Sequence, residues 1–213
     1  MNRRMAVLAL PVCLTACGGG GDENREPEAA EPAKPAPQLT VDLYGDSIGA
    51  GYAVEITPAE RIALMRPTWA VMDYSVYGLK LSELMEVFPT IPRTAQFVAL
   101  ALGFNDANEE DPNFETNLRT AIEIILREGR TPVLSGIVGV RAPTPLMVRY
   151  NAATHRLAQQ YGLEHAGWGE SFQPDDVNPD GIHRTQEASD RLAALLASAI
   201  ERAAQKKAMV SSR

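Results

Sequence analysis

Residues that could perform acyl transfer stand at two widely separated points of the sequence. Near the start, the stretch LYGDSIGAGY (43–52) places Ser47 after a short apolar run, and near the end DGIH (180–183) places an acid just before an imidazole. A serine hydroxyl is a weak nucleophile that needs a neighbouring base. We predict Ser47 as the nucleophile, His183 as the base and Asp180 as the acid that fixes the imidazole tautomer. The alternative for Ser47 is a loop serine that caps the next helix.

The same chemistry requires donors for the negative charge that develops on the substrate oxygen. The backbone N–H groups of Ser47 and Gly78 and the side-chain amide of Asn105 are candidates for this oxyanion hole. Each such donor typically lowers the barrier by about 3 to 4 kcal/mol. Gly78 has no side chain, so its N–H could approach a substrate closely. We expect neither a metal nor a cofactor.

Strands and helices that would position these residues alternate from Leu39 onwards. Thr57-Pro58-Ala59-Glu60 is typical of a helix start, because it combines a capping threonine, an early proline and a glutamate three residues after the cap. The other elements are predicted from apolar periodicity. The predicted strands are 39–44, 68–74, 97–102, 132–138 and 163–166, and the further helices are 79–88, 113–128, 145–161 and 185–207.

Alternating strands and helices predict an α/β protein with a three-layer α/β/α arrangement around a mostly parallel sheet. The strands are almost continuously apolar, as expected when both faces of a sheet are covered. In such sheets ligands bind at the carboxyl ends of the strands. Ser47, Gly78 and Asn105 each follow a predicted strand, and His183 follows the last strand. We therefore expect them to meet at one edge of the sheet.

Four short blocks occur in order along the chain: Gly45-Asp46-Ser47, Gly78, Gly103-x-Asn105-Asp106 and Asp180-x-x-His183. In these blocks the sequence resembles the SGNH (GDSL-type) hydrolases, and the resemblance runs from about residue 39 to 203. It implies a flavodoxin-like sheet, with Ser47 as nucleophile, His183 as base and Asp180 as orienting acid. It also implies Ser47, Gly78 and Asn105 as oxyanion donors. Residues 149–151 and the following helix are similar to the bacterial lysophospholipase and arylesterase branch.

The sequence departs from the usual pattern of the family in three of its regions. Asp73 and Ser75 occupy the stretch where an asparagine often precedes the glycine of the second block. Phe104 stands where a small residue is common, and Arg184 follows the histidine where proline is frequent. None of these changes removes a catalytic group, so they bear on the choice of substrate.

The expected substrate is a carboxylic ester, either a lipid-type ester or thioester or an O-acetylated envelope or extracellular polysaccharide. The stretch GVRAPTPL (139–146) is expected to shape the acyl or alcohol pocket. Phe104 and this apolar loop favour acyl chains, and the sequence shows no obvious aromatic platform for a sugar. Two other hypotheses stay open: a catalytically silent domain that binds a glycan or a partner protein, and an acyltransferase.

Several other polar or aromatic residues are interpreted as structural. Asp106 is expected to be a structural loop acid. His155 and His165 lack a carboxylate at a matched spacing, so a structural or surface position is expected for both. Trp69 and Trp168 are expected to pack in or beside the core.

The N-terminus is typical of a targeting segment. Positive charge at Arg3 and Arg4 precedes the apolar run 5–14, which is too short to span a bilayer. The string LTAC (14–17) resembles the lipobox of bacterial lipoproteins, which implies lipidation of Cys17. We predict a signal peptide at 1–16, a disordered linker at 17–38, the hydrolase domain at 39–207 and a disordered tail at 208–213.

The composition restricts the partners. The net charge of −7 disfavours binding to nucleic acid, because phosphates would repel the chain. The only other cysteine, Cys13, lies in the predicted signal, so no disulfide, cysteine metal site or cysteine nucleophile is expected in the mature domain. We expect a monomer that the lipid holds in the bacterial cell envelope, at the periplasmic face of the outer membrane.

Overall fold

The computed structural model describes residues 38–211. The predicted signal peptide, the lipidation site Cys17 and almost all of the predicted linker therefore lie outside the described residues. In the part that is described, none of the helices has the length and apolarity needed to cross a membrane.

A parallel sheet forms the centre of the domain. Within residues 38–211 it has five strands in the order β2-β1-β3-β4-β5, which is the flavodoxin-like order. Every residue of β3 is buried, as the continuous apolar run predicted. The predicted α/β/α fold is confirmed. The strands are β1 (Leu39–Gly45), β2 (Trp69–Asp73), β3 (Phe97–Ala101), β4 (Thr131–Leu134) and β5 (Glu164–His165).

Helices cover the sheet in two groups. In one group the first helix packs against the last. In the other, the fourth helix packs against the second and the fifth, and the third packs against the fifth. Trp168, predicted to pack in the core, is buried there and its indole N–H donates to the Leu192 carbonyl across 2.9 Å. The helices are α1 (Pro58–Met65), α2 (Leu81–Val87), α3 (Phe104–Asn108), α4 (Phe114–Arg127), α5 (Pro145–Tyr161) and α6 (Gln186–Ser211).

The predicted helix boundaries hold where a capping residue is present. Thr57 Oγ1 accepts from the Glu60 N–H across 3.2 Å, and the Glu60 carboxylate accepts from the Thr57 N–H across 2.8 Å. This reciprocal pair confirms the capping box at the start of α1. At the C-terminal end of α5, Gly162 adopts the left-handed conformation with φ 64°, and the helix ends at the predicted residue.

Two predicted boundaries are wrong by four residues each, and one helix was missed, in each case for a local reason. Helix α6 continues to Ser211, so residues 208–211 are helical rather than disordered, because no proline or glycine interrupts the run. Strand β4 ends at Leu134 instead of residue 138, since Gly136 adopts φ 80°, which an extended strand cannot contain. The five-residue helix α3 was not predicted, because it is too short to show a helical period.

Candidate active site

The structure brings Ser47, His183 and Asp180 into one hydrogen-bonded chain. The Ser47 hydroxyl donates to Nε2 of His183 across 3.0 Å, and Nδ1–H of His183 donates to Oδ2 of Asp180 across 2.7 Å. Since the carboxylate holds the proton on Nδ1, Nε2 keeps a lone pair for the serine proton. The arrangement can therefore activate the serine as a nucleophile.

A tight turn after β1 presents Ser47. Oδ1 of Asp46 accepts from the Ile48 N–H across 2.9 Å and holds this turn. Gly45 and Gly49 pack against Ser75: a Cβ on either glycine would lie 2.7 Å from Ser75 Oγ, closer than atoms in contact normally approach. The two glycines therefore allow the strand end and the turn to meet. Burial raises the pKa of Asp46 to about 7.

The loop between β5 and α6 fixes the acid and the base relative to each other. Oδ1 of Asp180 accepts from the backbone N–H groups of Ile182 and His183, each across 2.9 Å. The hydrogen bond from Ile182, followed by those from the His183 side chain and backbone, lowers the pKa of Asp180 to about 2. Asp180 is therefore a carboxylate near neutral pH, and it can stabilise an imidazolium at His183.

The three predicted oxyanion donors have the properties that role requires. Within residues 38–211, neither the Ser47 N–H nor the Gly78 N–H has a hydrogen-bond acceptor. Gly78 is exposed, adopts φ 75° and has open space where a side chain would stand. The Asn105 amide donates one proton to the Leu79 carbonyl across 3.1 Å, which holds it beside the loop of Gly78 and leaves its second proton available.

Asp106, next to Asn105, is a structural acid, as predicted. It is fully buried, and its two carboxylate oxygens accept from the Leu81 N–H across 3.0 and 3.1 Å. Burial raises its pKa to about 6. The hydrogen bonds join α3 to the first turn of α2, so Asp106 fixes the element that carries Asn105.

Arg184 connects the histidine loop to the segment after β4. Its side chain is buried, donates to the Gly139 carbonyl and lies over the Phe172 ring at 5.5 Å. Burial lowers the pKa of Arg184 to about 10, an effect that Asp176 and Asp46 oppose. A proline in this position could not make the contact with Gly139. The arginine that departs from the family pattern therefore joins the histidine loop to the segment after β4.

A cavity of about 240 Å³ lies beside this connection. Apolar residues of the stretch 137–148 form most of its wall, which agrees in position with the predicted pocket loop. The lining residues include Val138, Gly139, Val140, Pro143, Met147 and Phe172. A larger cavity, of about 550 Å³, lies between residues 170–173 and α6. None of the three catalytic candidates lines either cavity. The smaller one is the candidate for holding an acyl group, because Gly139 in its wall accepts a hydrogen bond from Arg184, the residue after His183.

Two exposed tyrosines at the site were not predicted. The Tyr52 ring lies over the His183 ring with 4.1 Å between centroids, and the Tyr77 ring meets Tyr52 edge to face at 5.5 Å. We call Tyr52 and Tyr77 the tyrosine pair. Their positions in the sequence could have indicated that they lie at the site, because Tyr52 ends the turn of Ser47 and Tyr77 directly precedes Gly78.

His155, His165 and Glu170 form a cluster that can be tested as a metal site, since each offers a ligand atom within 4.8 Å of the others. The Gly167 N–H donates to Nδ1 of His165 across 3.0 Å, so Nε2 carries the proton and donates to Thr154. This tautomer leaves His165 no free lone pair for a metal. Nε2 of His155 lies 2.7 Å from Oε1 of Glu170, a carboxylate partner that the sequence spacing did not predict, and its ring stacks on His165 at 3.8 Å. These contacts agree with the structural role predicted for both histidines.

Comparisons with known proteins show that this chain is similar to solved structures in its fold, without a detectable match in sequence. No protein-family model matches the chain, and no curated protein is detectably similar to it in sequence. The structure of TesA is similar with a TM-score of 0.66 at 20% identity, over 77% of this chain and 99% of that one. A structure described as that of a GDSL-like lipase from Parabacteroides merdae has a TM-score of 0.64 at 13% identity, over 76% and 95%.

An acetylxylan esterase from Geobacillus stearothermophilus, solved as a catalytic mutant of Axe2, is similar to the same degree. Its TM-score is 0.63 at 13% identity, over 76% of this chain and 94% of that one. At these identities the likeness shows a shared fold. The fold expected from the four sequence blocks is therefore confirmed.

Proposed function

We propose that this chain, which has the SGNH hydrolase fold, is a serine esterase that cleaves carboxylic esters. The observation that carries the proposal is the hydrogen-bonded chain from Ser47 through His183 to Asp180, with distances of 3.0 and 2.7 Å. A serine that merely capped a helix would not need an imidazole with a fixed tautomer on its hydroxyl. The ester-cleaving activities in the names of the similar structures support the same conclusion.

The first half of the proposed cycle forms an acyl-enzyme. Ser47 Oγ attacks the ester carbonyl carbon while its proton moves to Nε2 of His183. The carbonyl oxygen takes the negative charge and receives hydrogen bonds from the Ser47 N–H, the Gly78 N–H and the Asn105 amide. The bond to the alcohol oxygen then breaks, and His183 returns the proton to that oxygen.

The second half releases the acid. Water enters the position that the alcohol has left, and Nε2 of His183 takes one of its protons as the water oxygen attacks the acyl carbon. The same three donors hold the charge of the second tetrahedral intermediate. When the bond to Ser47 Oγ breaks, His183 returns the proton to the serine, and the carboxylic acid leaves.

From the N-terminal sequence we further propose that this activity lies in the cell envelope. Lipidation of Cys17 would anchor the domain through the linker 17–38, at the periplasmic face of the outer membrane. Growth with an alkyne-labelled fatty acid tests the anchor: the chain should carry the label, and Cys17→Ala should lose it and leave the membrane fraction. An unlabelled wild-type chain would overturn the anchor and leave the esterase proposal untouched.

The esterase proposal is tested with a fluorophosphonate probe and with p-nitrophenyl esters of acetate, butyrate and octanoate. The full chain should react with the probe and hydrolyse at least one ester, and Ser47→Ala should lose both activities. Ser198→Ala is the matched control, since this exposed serine lies on α6 away from the site. If Ser47→Ala keeps probe labelling, Ser47 is not the nucleophile and the proposed mechanism is overturned. If the folded wild type neither labels nor hydrolyses, a binding function replaces the esterase proposal.

A further inference from the structure

The tyrosine pair stands where the alcohol part of an ester must leave. In the proposed cycle, Nε2 of His183 returns its proton to the alcohol oxygen, so that oxygen must lie next to the imidazole. The Tyr52 ring covers the face of this imidazole at 4.1 Å. Tyr77 directly precedes Gly78, a predicted oxyanion donor. The pair therefore borders the imidazole to which a leaving alcohol must be adjacent: Tyr52 by direct contact and Tyr77 through its contact with Tyr52.

Both rings are available to a ligand. Tyr52 is 45% exposed and Tyr77 is 61% exposed, so both rings can be reached from solvent. Their planes meet at 83°, so the two faces form a corner rather than a flat patch. A ring of the substrate could stack on the face of one tyrosine and meet the other tyrosine edge to face, and these are the two geometries that aromatic groups prefer.

The pair is also held in place. Beyond Tyr52, the N–H groups of Glu55 and Ile56 donate to the side-chain oxygen of Gln186 across 2.8 and 3.0 Å. Gln186 begins α6 only three residues after His183, so the loop of Tyr52 is fixed to the loop of the base. On the other side, the Val76 N–H donates to the Gly45 carbonyl across 3.0 Å and joins the segment of Tyr77 to the end of β1.

The candidate acyl cavity is separate from the tyrosine pair. The 240 Å³ cavity is lined by residues from 137–151, by Gly169 and by Phe172, and it contains neither tyrosine. We infer that the tyrosine pair binds a ring in the alcohol part of the ester, so that aryl or glycosyl esters are preferred over esters of small alkyl alcohols. This inference rests on the proposed esterase function.

The experiment keeps the acyl group constant and changes the alcohol. Steady-state hydrolysis of phenyl acetate, mono-acetylated methyl xyloside and ethyl acetate is measured with the full chain, Tyr77→Ala and Tyr77→Phe. Tyr77→Ala should lower the ratio of kcat/KM on a ring ester to that on ethyl acetate by about two- to tenfold, chiefly through KM. Tyr77→Phe should keep the ratio. If the ratio falls more for phenyl acetate than for the acetylated xyloside, the preferred ring is an aryl group; if it falls more for the xyloside, the preferred ring is a sugar.

Exposed Leu64 on α1 supplies a control variant, Leu64→Ala, which should leave all three activities unchanged. An equal fall on all three esters in Tyr77→Ala would overturn the inference, because it would mean that Tyr77 only supports the loop of Gly78. An unchanged ratio would overturn it as well. In both cases the esterase proposal stands, whereas a wild type without activity on any ester overturns the esterase proposal itself.

Discussion

Nε2 of His183 lies 3.0 Å from Oγ of Ser47, although 136 residues separate them in the sequence. The parallel sheet makes this contact possible, because Ser47 follows the carboxyl end of β1 and the loop of His183 follows β5 and precedes α6. Asp180 completes the arrangement from within the same loop as the histidine. The consequences of this geometry can be tested residue by residue.

Asp180→Asn should lower kcat by a factor of about 10³ to 10⁴. The amide could present an N–H to Nδ1, which would place the imidazole proton on Nε2 and remove the acceptor for the serine proton. The variant should keep the wild-type melting temperature, since the acid is exposed. Part of the activity should return at higher pH. A loss of less than tenfold would show that Asp180 does not orient the base.

Asn105→Ala should lower kcat by about 10² to 10³ and change KM little, because the amide is expected to act on the oxyanion rather than on the bound ester. Stopped assays with p-nitrophenyl acetate separate the two constants. Asn108→Ala is the matched control, since this exposed asparagine ends the same short helix. Equal effects of the two substitutions would remove Asn105 from the oxyanion hole.

Gly49→Ala should destabilise the domain by about 1 to 3 kcal/mol, because the new Cβ would lie 2.7 Å from Ser75 Oγ. Ser75 Oγ is buried without a hydrogen-bond partner among the described residues, so Ser75→Ala alone should cost little. Combining the two substitutions should recover part of the loss. Urea unfolding of the two single variants and the double variant measures the coupling, and strict additivity would contradict the close contact.

His165 should make the domain less stable in acid. Burial first, and then the nearby charge of His155, lowers the pKa of His165 from 6.5 to about 4, while Glu170 acts in the opposite direction. Between these values the unfolded chain binds a proton that the folded chain does not, so the free energy of unfolding falls as pH decreases from about 6.5 to 4.

His165→Gln isolates this effect, because a glutamine amide can accept from Gly167 and donate to Thr154 without titrating. The stability of the wild type relative to this variant should fall by about 1 to 2 kcal/mol between pH 7 and pH 4, after allowance for partial exposure of the ring. Chemical unfolding at several pH values measures the difference. A constant difference would mean that His165 titrates normally in the folded state.

Much of the fold could be predicted because its signals are local. The capping box at Thr57, the glycine at 162 and the continuous apolar run of β3 each report on a few neighbouring residues, and the structure has these elements where they were expected. The errors are local as well. Helix α3 is only five residues long, and α6 continues past Lys207 because no residue there ends a helix.

The order of strands and helices and the four blocks with the candidate catalytic groups could be predicted from the sequence, because they depend on the spacing of apolar residues and on the chemistry of single side chains. The contacts of Tyr52 with His183 and Tyr77, and of Arg184 with Gly139, are visible in the three-dimensional structure alone. These contacts depend on the paths of loops between distant elements. Loop paths are set by long-range packing and hydrogen bonds, such as those from Gln186, which leave no periodic pattern in the sequence.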